Sequence, residues 1–183
     1  MELIAPSDSN LLIKTERLTL EPVLISHAKE MAILLKDPEL YDFVPQDPPE
    51  VSNLRKTYEV WSKRISPSRD ELWFNWVARL NATNKAVGHF QAGVKSNSES
   101  NVAYTVGLRY QRQGFATEAL KSILAFLNST MGVKTVKAWI DTRNKASIDL
   151  VKKIGMVQVD FIKNADHFKN ADSDEYVYQI SFD

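Results

Sequence analysis

Hydrophobic and polar positions along this chain follow two periods in turn, and each change of period marks an element. Leu18-Thr19-Leu20-Glu21-Pro22 alternates as a short strand does, with Pro22 marking its end or a sheet edge. Ser26 is a good N-cap, and Ala28, Met31, Ala32 and Leu35 follow at helical spacing. Pro38, Pro45, Pro48 and Pro49 then forbid regular structure. A second helix reads over 51–65, with Leu54, Tyr58, Trp61 and Ile65 on one face and Pro67 closing it. From Leu72 the period shortens to that of strands: 72–80, 86–94 and 102–108, separated by the polar turns 81–84 and 95–100. Three strands with short connections predict an antiparallel meander. A helix over 114–128, a strand over 135–140 and a helix over 145–154 follow, and Gly155 sits where a C-terminal cap belongs. Strands over 157–162 and 176–182 finish the chain. The expected class is α+β, with a mixed, largely antiparallel central sheet flanked by helices. One domain spans 1–183, and residues 1–10 read as a loose leading segment.

Composition narrows what such a domain can do. Its 183 residues are enough to bury a core and build one site. Lys+Arg and Asp+Glu are both 23, so the formal net charge is zero, which argues against wholesale binding of nucleic acid or an anionic membrane. The chain has no cysteine, which excludes disulfides, Cys-ligated metals and a thiol nucleophile, and fits a cytoplasmic protein. The first ten residues lack both a basic start and an apolar stretch, so they do not read as a secretory signal. The longest helix-like apolar run, Met31 to Leu35, is far too short to span a bilayer.

The segment richest in chemistry runs from Leu108 to Leu120. A strand enters Gln111-Arg112-Gln113-Gly114-Phe115-Ala116, and an amphipathic helix follows at once, with Ala116, Leu120, Ile123, Leu124 and Leu127 on one face. Gly114 and Ala116 keep side chains away from the helix start. The free N–H groups there and the positive end of the helix dipole suit a phosphate, and Arg112 can add a cation. Glycine at a strand-to-helix turn is equally compatible with a purely structural turn. The segment is neither a P-loop nor a dinucleotide fingerprint.

Gln111-x-x-Gly114-x-Ala116, followed by Thr117-Glu118-Ala119, closely resembles the coenzyme A pyrophosphate loop of the GCN5-related N-acetyltransferases (GNAT), in particular the branch acting on ribosomal-protein N-termini. The resemblance covers nearly the whole chain. Thr15-Glu-Arg-Leu-Thr-Leu20 looks like the opening strand, and Val102-Ala-Tyr-Thr-Val-Gly107 like the strand feeding the loop. Asn144-Lys-Ala-Ser147 with Leu150-Val-Lys-Lys-Ile-Gly155 resembles the second cofactor motif, and Asp174-Glu-Tyr-Val-Tyr178 the closing strand.

The resemblance implies a GNAT-like sheet splayed at a bulge, with acetyl-CoA as co-substrate and no metal. Pantetheine would lie in the gap like an added strand, paired with backbone around Thr105, Val106, Gly107 and Leu108. An amide there would stabilise the oxyanion of the tetrahedral intermediate. Gln111, Arg112, Gln113, Gly114, Phe115, Ala116 and Thr117 would form the pyrophosphate loop. Asn144 would meet the pantetheine, and Ser147 would sit near the sulfur to protonate or hydrogen-bond the departing thiolate. Asn144 is also a plain N-cap candidate and Ser147 an ordinary first-turn residue. Tyr104 is a second candidate for the acid role. Arg143, Lys145 and Lys152 can reach a 3′-phosphate or simply be solvated.

Many members of the branch carry a Glu about three residues before the strand tyrosine, where this chain has Asn101; Glu99 lies nearby. Without a strong base the acceptor amine must arrive neutral, which mildly favours an α-amine (pKa about 8) over lysine (about 10.4). The acceptor pocket is expected from 41–50 and 164–174, with Asp166, Asp172 and Asp174 available to attract a cation. His27, His89 and His167 show no ligand spacing, and only His89 lies in a central strand. The implied activity is direct acetyl transfer in a ternary complex, most simply to a protein or peptide N-terminus. A small amine (polyamine or aminoglycoside) as acceptor, or a catalytically weak acyl-CoA-binding module, are the alternatives. The chain would act as a monomer or homodimer.

Overall fold

The computed structural model describes residues 6–182. Eight strands form one mixed sheet in the order β1-β2-β3-β4-β5-β6-β8-β7. They are β1 (Ile13–Lys14), β2 (Leu18–Pro22), β3 (Glu71–Leu80), β4 (Ala86–Lys95), β5 (Glu99–Val106), β6 (Thr135–Asp141), β7 (Val157–Phe168) and β8 (Ala171–Ser181). Helices α1 (Ala28–Leu34), α2 (Val51–Trp61), α3 (Phe115–Ser129) and α4 (Lys145–Lys153) flank it. Every pairing is antiparallel except that of β5 with β6.

Alternation along the meander sorts side chains between two layers. Phe74, Trp76, Phe90 and Val102 pack with Leu120, Ile123 and Leu127 of α3 in the larger core. Each such Leu or Ile taken from water contributes about 1.5–3 kcal/mol. Val77 points the other way, into a smaller core with Met31, Leu54 and Tyr58 under α1 and α2. Of the segment expected to be loose, residues 1–5 lie outside the described residues, and the rest leads into a 3₁₀ turn, Asp8–Leu11. Leu11 is buried, and its carbonyl accepts from Trp76 Nε1 at 2.8 Å.

Four expectations shift. Ser26 lies inside a 3₁₀ turn, Ile25–His27, that precedes α1; His27 does the capping, its Nδ1 accepting from the Leu24 N–H at 3.1 Å. Helix α2 stops at Trp61, because Ile65 is drawn into a bridge with Leu72. β5 ends at Val106, and Leu108–Tyr110 is a 3₁₀ turn. The region 164–174 is not an irregular loop but the end of a long hairpin. β7 and β8 run on to a two-residue turn at Lys169 and Asn170, both with positive φ, and a bulge at Asn164 (φ 50°) absorbs the irregular register.

Candidate active site

The site begins with an interruption in the sheet. β5 and β6 pair over only three positions, Glu99↔Thr135, Ser100↔Val136 and Asn101↔Lys137, and then diverge. No bulge causes this: the register of β5 with β4 runs unbroken from Ser100 to Val106. The Gly107 N–H donates to the Val87 carbonyl on β4 at 3.0 Å, so by strand alternation the Val106 and Tyr104 amides are directed into the gap. The Val106 carbonyl already accepts from Gln111 Nε2 at 3.1 Å, which ties the loop to the strand end.

A cleft of about 1060 Å³ opens on this gap. On its α4 side, Tyr104 Oη and Ser147 Oγ are 2.6 Å apart. Burial pushes the Tyr104 phenol up to about 12, with the Ser147 hydrogen bond opposing the shift. The phenol is therefore neutral at physiological pH and keeps a proton to share. Asn144 holds the pair from behind: its Oδ1 caps α4 by accepting from the Ser147 N–H at 3.1 Å, leaving its amide NH₂ for other partners.

The start of α3 forms the cleft's second wall. Gly114 has φ 84° and Arg112 φ 61°, so the backbone coils through two left-handed residues just before the helix. Such a turn gathers N–H groups into a concavity that suits an anion. Arg112, Gly114, Phe115, Ala116 and Thr117 all line the cleft.

On the opposite face, His89 lines the cleft and stacks on Trp61 at 5.1 Å, which in turn stacks on Tyr58 at 5.5 Å. Burial holds the His89 imidazole down at about 4, and its Nε2 has no hydrogen-bond partner. Tyr41, Phe43, Pro45 and Asp47 line the mouth.

Comparison with known proteins agrees with this geometry. The model of the acetyltransferase (GNAT) domain matches residues 17–157. The chain belongs to the GNAT acetyltransferase family. An uncharacterized N-acetyltransferase, p20, of Bacillus licheniformis is 21% identical over 169 residues, covering 91% of this chain and 93% of its own. The structure of a GNAT acetyltransferase from Bacillus anthracis superposes with TM-score 0.80 at 20% identity, covering 93% of this chain and 98% of the other. RimL, a ribosomal L7/L12 α-N-protein acetyltransferase in complex with coenzyme A, gives TM-score 0.83 at 13% identity over 94% and 98% of the two chains. This GNAT chain is thus an acetyl-CoA-dependent N-acetyltransferase.

The GNAT domain gathers most of the residues singled out above. Tyr104, Val106, Leu108, Gln111, Asn144 and Ser147 line the cleft together with the α3 turn. Gly107 and Gln113 do not. Gly107 instead lies under α1, where a Cβ would stand 2.5 Å from Leu34 Cδ1, and Gln113 Nε2 bonds the Arg109 carbonyl at 2.8 Å. None of the three cations suggested for a 3′-phosphate lines the cleft: Arg143 pairs with Asp141, Lys145 with Asp149, and Lys152 lies over the Tyr178 ring. Lys153 lines the cleft in their stead. Asp166, Asp172 and Asp174 are spent on the hairpin itself, on the His167 N–H, the His167 ring and the Asn164 N–H. The hairpin still reaches the mouth, where Lys169 Nζ donates to the Tyr41 carbonyl. Asn101 Oδ1 accepts from the Gly93 N–H at 2.8 Å, and Glu99 is held by Asn97 and Lys137 at the strand start.

Arg17 is the residue that sequence reasoning missed. Its Nη1 donates to the Gln113 carbonyl at 3.0 Å, its guanidinium stacks over Phe115 at 4.6 Å, and its Nε pairs with Glu118 at 2.6 Å. Burial raises the Glu118 carboxyl, but hydrogen bonds from Thr15 and Arg17 outweigh this and hold it below its usual range. The connection between β1 and β2 therefore braces the turn before α3 from outside.

Proposed function

We propose that this enzyme acetylates a protein or peptide N-terminal α-amine by direct attack in a ternary complex. The observation that carries this reading is the Tyr104–Ser147 hydroxyl pair, 2.6 Å apart beside the gap where β5 and β6 part. Acetyl-CoA fits that gap with its pantetheine alongside Val106 and its pyrophosphate on the turn at Arg112 to Thr117. The inward Tyr104 and Val106 amides lie where an oxyanion develops, and such donors typically contribute several kcal/mol to the transition state. Ser147 faces the departing sulfur, with Tyr104 donating to it. A phenol near 12 cannot hand its proton outright to a thiolate near 8.5, but it can relay one from the attacking nitrogen, so that nitrogen loses the proton that sulfur gains.

The acceptor class follows from proton bookkeeping. Asn101 is no base, and His89 is held neutral and weakly basic with its Nε2 enclosed. A neutral amine is needed, and near pH 7.5 an α-amine is neutral roughly 200 times more often than a lysine side chain. The likeness to RimL supports the same acceptor. Glu39, Asp42 and Asp47 at the mouth favour a second reading, a small polycation such as a polyamine.

Incubation with acetyl-CoA and a peptide bearing both a free N-terminus and lysines, mapped by mass spectrometry, tests the proposal. Acetylation is expected at the N-terminus, rising with pH along an apparent pKa of about 8. Preferential lysine modification, or an apparent pKa of about 6 to 7, refutes it. Reaction of a polyamine but of no peptide turns the site over to the small-amine reading.

A further inference from the structure

Beyond the cleft, on the same face of the sheet as His89, lies a second cavity of about 300 Å³. It shares Trp61, Gln91 and Ala103 with the cleft, so the two are neighbours. Three of the chain's four tryptophans line it, Trp61, Trp73 and Trp139, and Trp139 is 45% exposed. Glu71 is the one ionisable residue among those lining it. Its Oε2 accepts from Trp73 Nε1 at 2.8 Å.

Gly93 makes the arrangement possible. A Cβ at that position would stand 2.3 Å from Glu71 Oε1 and 2.3 Å from Asn101 Oδ1, so a carboxylate oxygen and an amide oxygen converge over a bare backbone. Two acceptor oxygens beside indole rings form a recognition site for a cation, which is attracted both by the charge and by the ring faces. Lys95, opposite Glu71 in the register, is exposed, and Lys137 is turned to Glu99; neither lines the cavity.

We infer that this cavity is a specificity subsite for a lysine or arginine side chain of the acceptor peptide. The inference rests on the reading of the acceptor as a peptide α-amine. The register sets the spacing. The gap beside Thr105 and the cavity at Asn101 are four strand residues apart, roughly 13 Å, and an extended peptide rises about 3.3 Å per residue. A basic side chain at the third or fourth residue of the acceptor spans that distance.

Two probes separate the subsite from the reading beneath it. The first is an N-acetylated, non-reactive tetrapeptide amide with lysine or norleucine at position 3, titrated against the CoA-saturated enzyme while tryptophan fluorescence is followed. Three of four indoles border the cavity, so lysine occupancy perturbs the emission, and Glu71→Gln and Trp139→Ala each weaken it. The second is the same pair of peptides with free N-termini, compared by kcat/KM. A preference for lysine of about fivefold to tenfold is expected, falling towards one in Glu71→Gln, which keeps the acceptor for Trp73 Nε1. Binding of the blocked lysine peptide without turnover of the free one upholds cation binding in the cavity but overturns the peptide-acceptor reading, and with it the cavity's role in acceptor specificity. Efficient turnover with no lysine preference in the wild type, and no change on Glu71→Gln, overturns the subsite alone.

Discussion

Lowering the pH from 7.5 to 5.0 should cost this fold about 2 kcal/mol through His89 alone. The imidazole is 8% exposed, stacked on Trp61, and held from its ordinary 6.5 down to about 4 by burial. At pH 5.0 the unfolded chain carries this proton almost fully while the folded one does not. The ratio of the two protonation factors is about 30, or about 2 kcal/mol; at pH 7.5 it is close to one. A folded pKa below the unfolded one means stability present above pH 6.5 and lost as pH falls towards 4. Other groups titrate as well. His27 is also lowered, mainly by burial, and Glu175 is raised, mainly by burial, with the opposite sign. The measurement is therefore a difference: urea unfolding of wild type and His89→Gln at both pH values, read by tryptophan fluorescence. The wild type should lose about 2 kcal/mol more than the variant between the two conditions, equivalent to about 5 °C in Tm for a chain of this length. Equal losses in both proteins would mean that His89 is hydrated in the folded state, and that the Trp61 stack does not seal it.

Three further outcomes follow from contacts described above. Ser147→Ala and Tyr104→Phe should each lower kcat about tenfold or more with little change in KM for acetyl-CoA, and the double variant should fall little below the worse single one, since the hydroxyls act as one relay; additive losses in steady-state kinetics would separate them. Asn144→Ala should lower stability by about 1 kcal/mol through the lost cap of α4, visible in urea unfolding. Gly114→Ala, at φ 84°, should strain the phosphate turn by about 1 kcal/mol and weaken coenzyme A binding by calorimetry, whereas unchanged affinity would remove that turn from the cofactor site.

The sequence was most legible where one face of an element is buried. α3 shows its 3.6-residue stripe because Leu120, Ile123 and Leu127 meet the sheet, and α4 announces both ends through Asn144 and Gly155. β7 was half hidden because it is a solvent-facing edge strand. Its residues are exposed from Val157 to His167, so no alternation distinguishes Lys163 to His167 from a loop, and only the paired backbone shows otherwise. Tyr104 and Ser147 were visible as motif residues, but their meeting required the fold. Arg17 was out of reach for a different reason: its partners Gln113 and Glu118 lie 96 and 101 residues away, and a charge at a strand's start carries no local sign of such a contact. The cavity under the tryptophans depends likewise on Gly93, whose missing Cβ has meaning only once Glu71 and Asn101 flank it.

The three-position junction between β5 and β6 makes the sheet two slabs, β1 to β5 and β6 to β8, with one short seam. A molecule that lies in the opening and hydrogen-bonds to its exposed edge is then also a structural strut. Its binding energy adds to the folding energy as RT ln(1 + [L]/Kd), about 2.7 kcal/mol at a hundredfold excess over Kd. Amides of Tyr104 and Val106, which face the opening, should exchange with solvent quickly in the free enzyme and slowly when coenzyme A is present. The cofactor would in this way serve as part of the fold, and only removal of both acetyl-CoA and coenzyme A would loosen the seam.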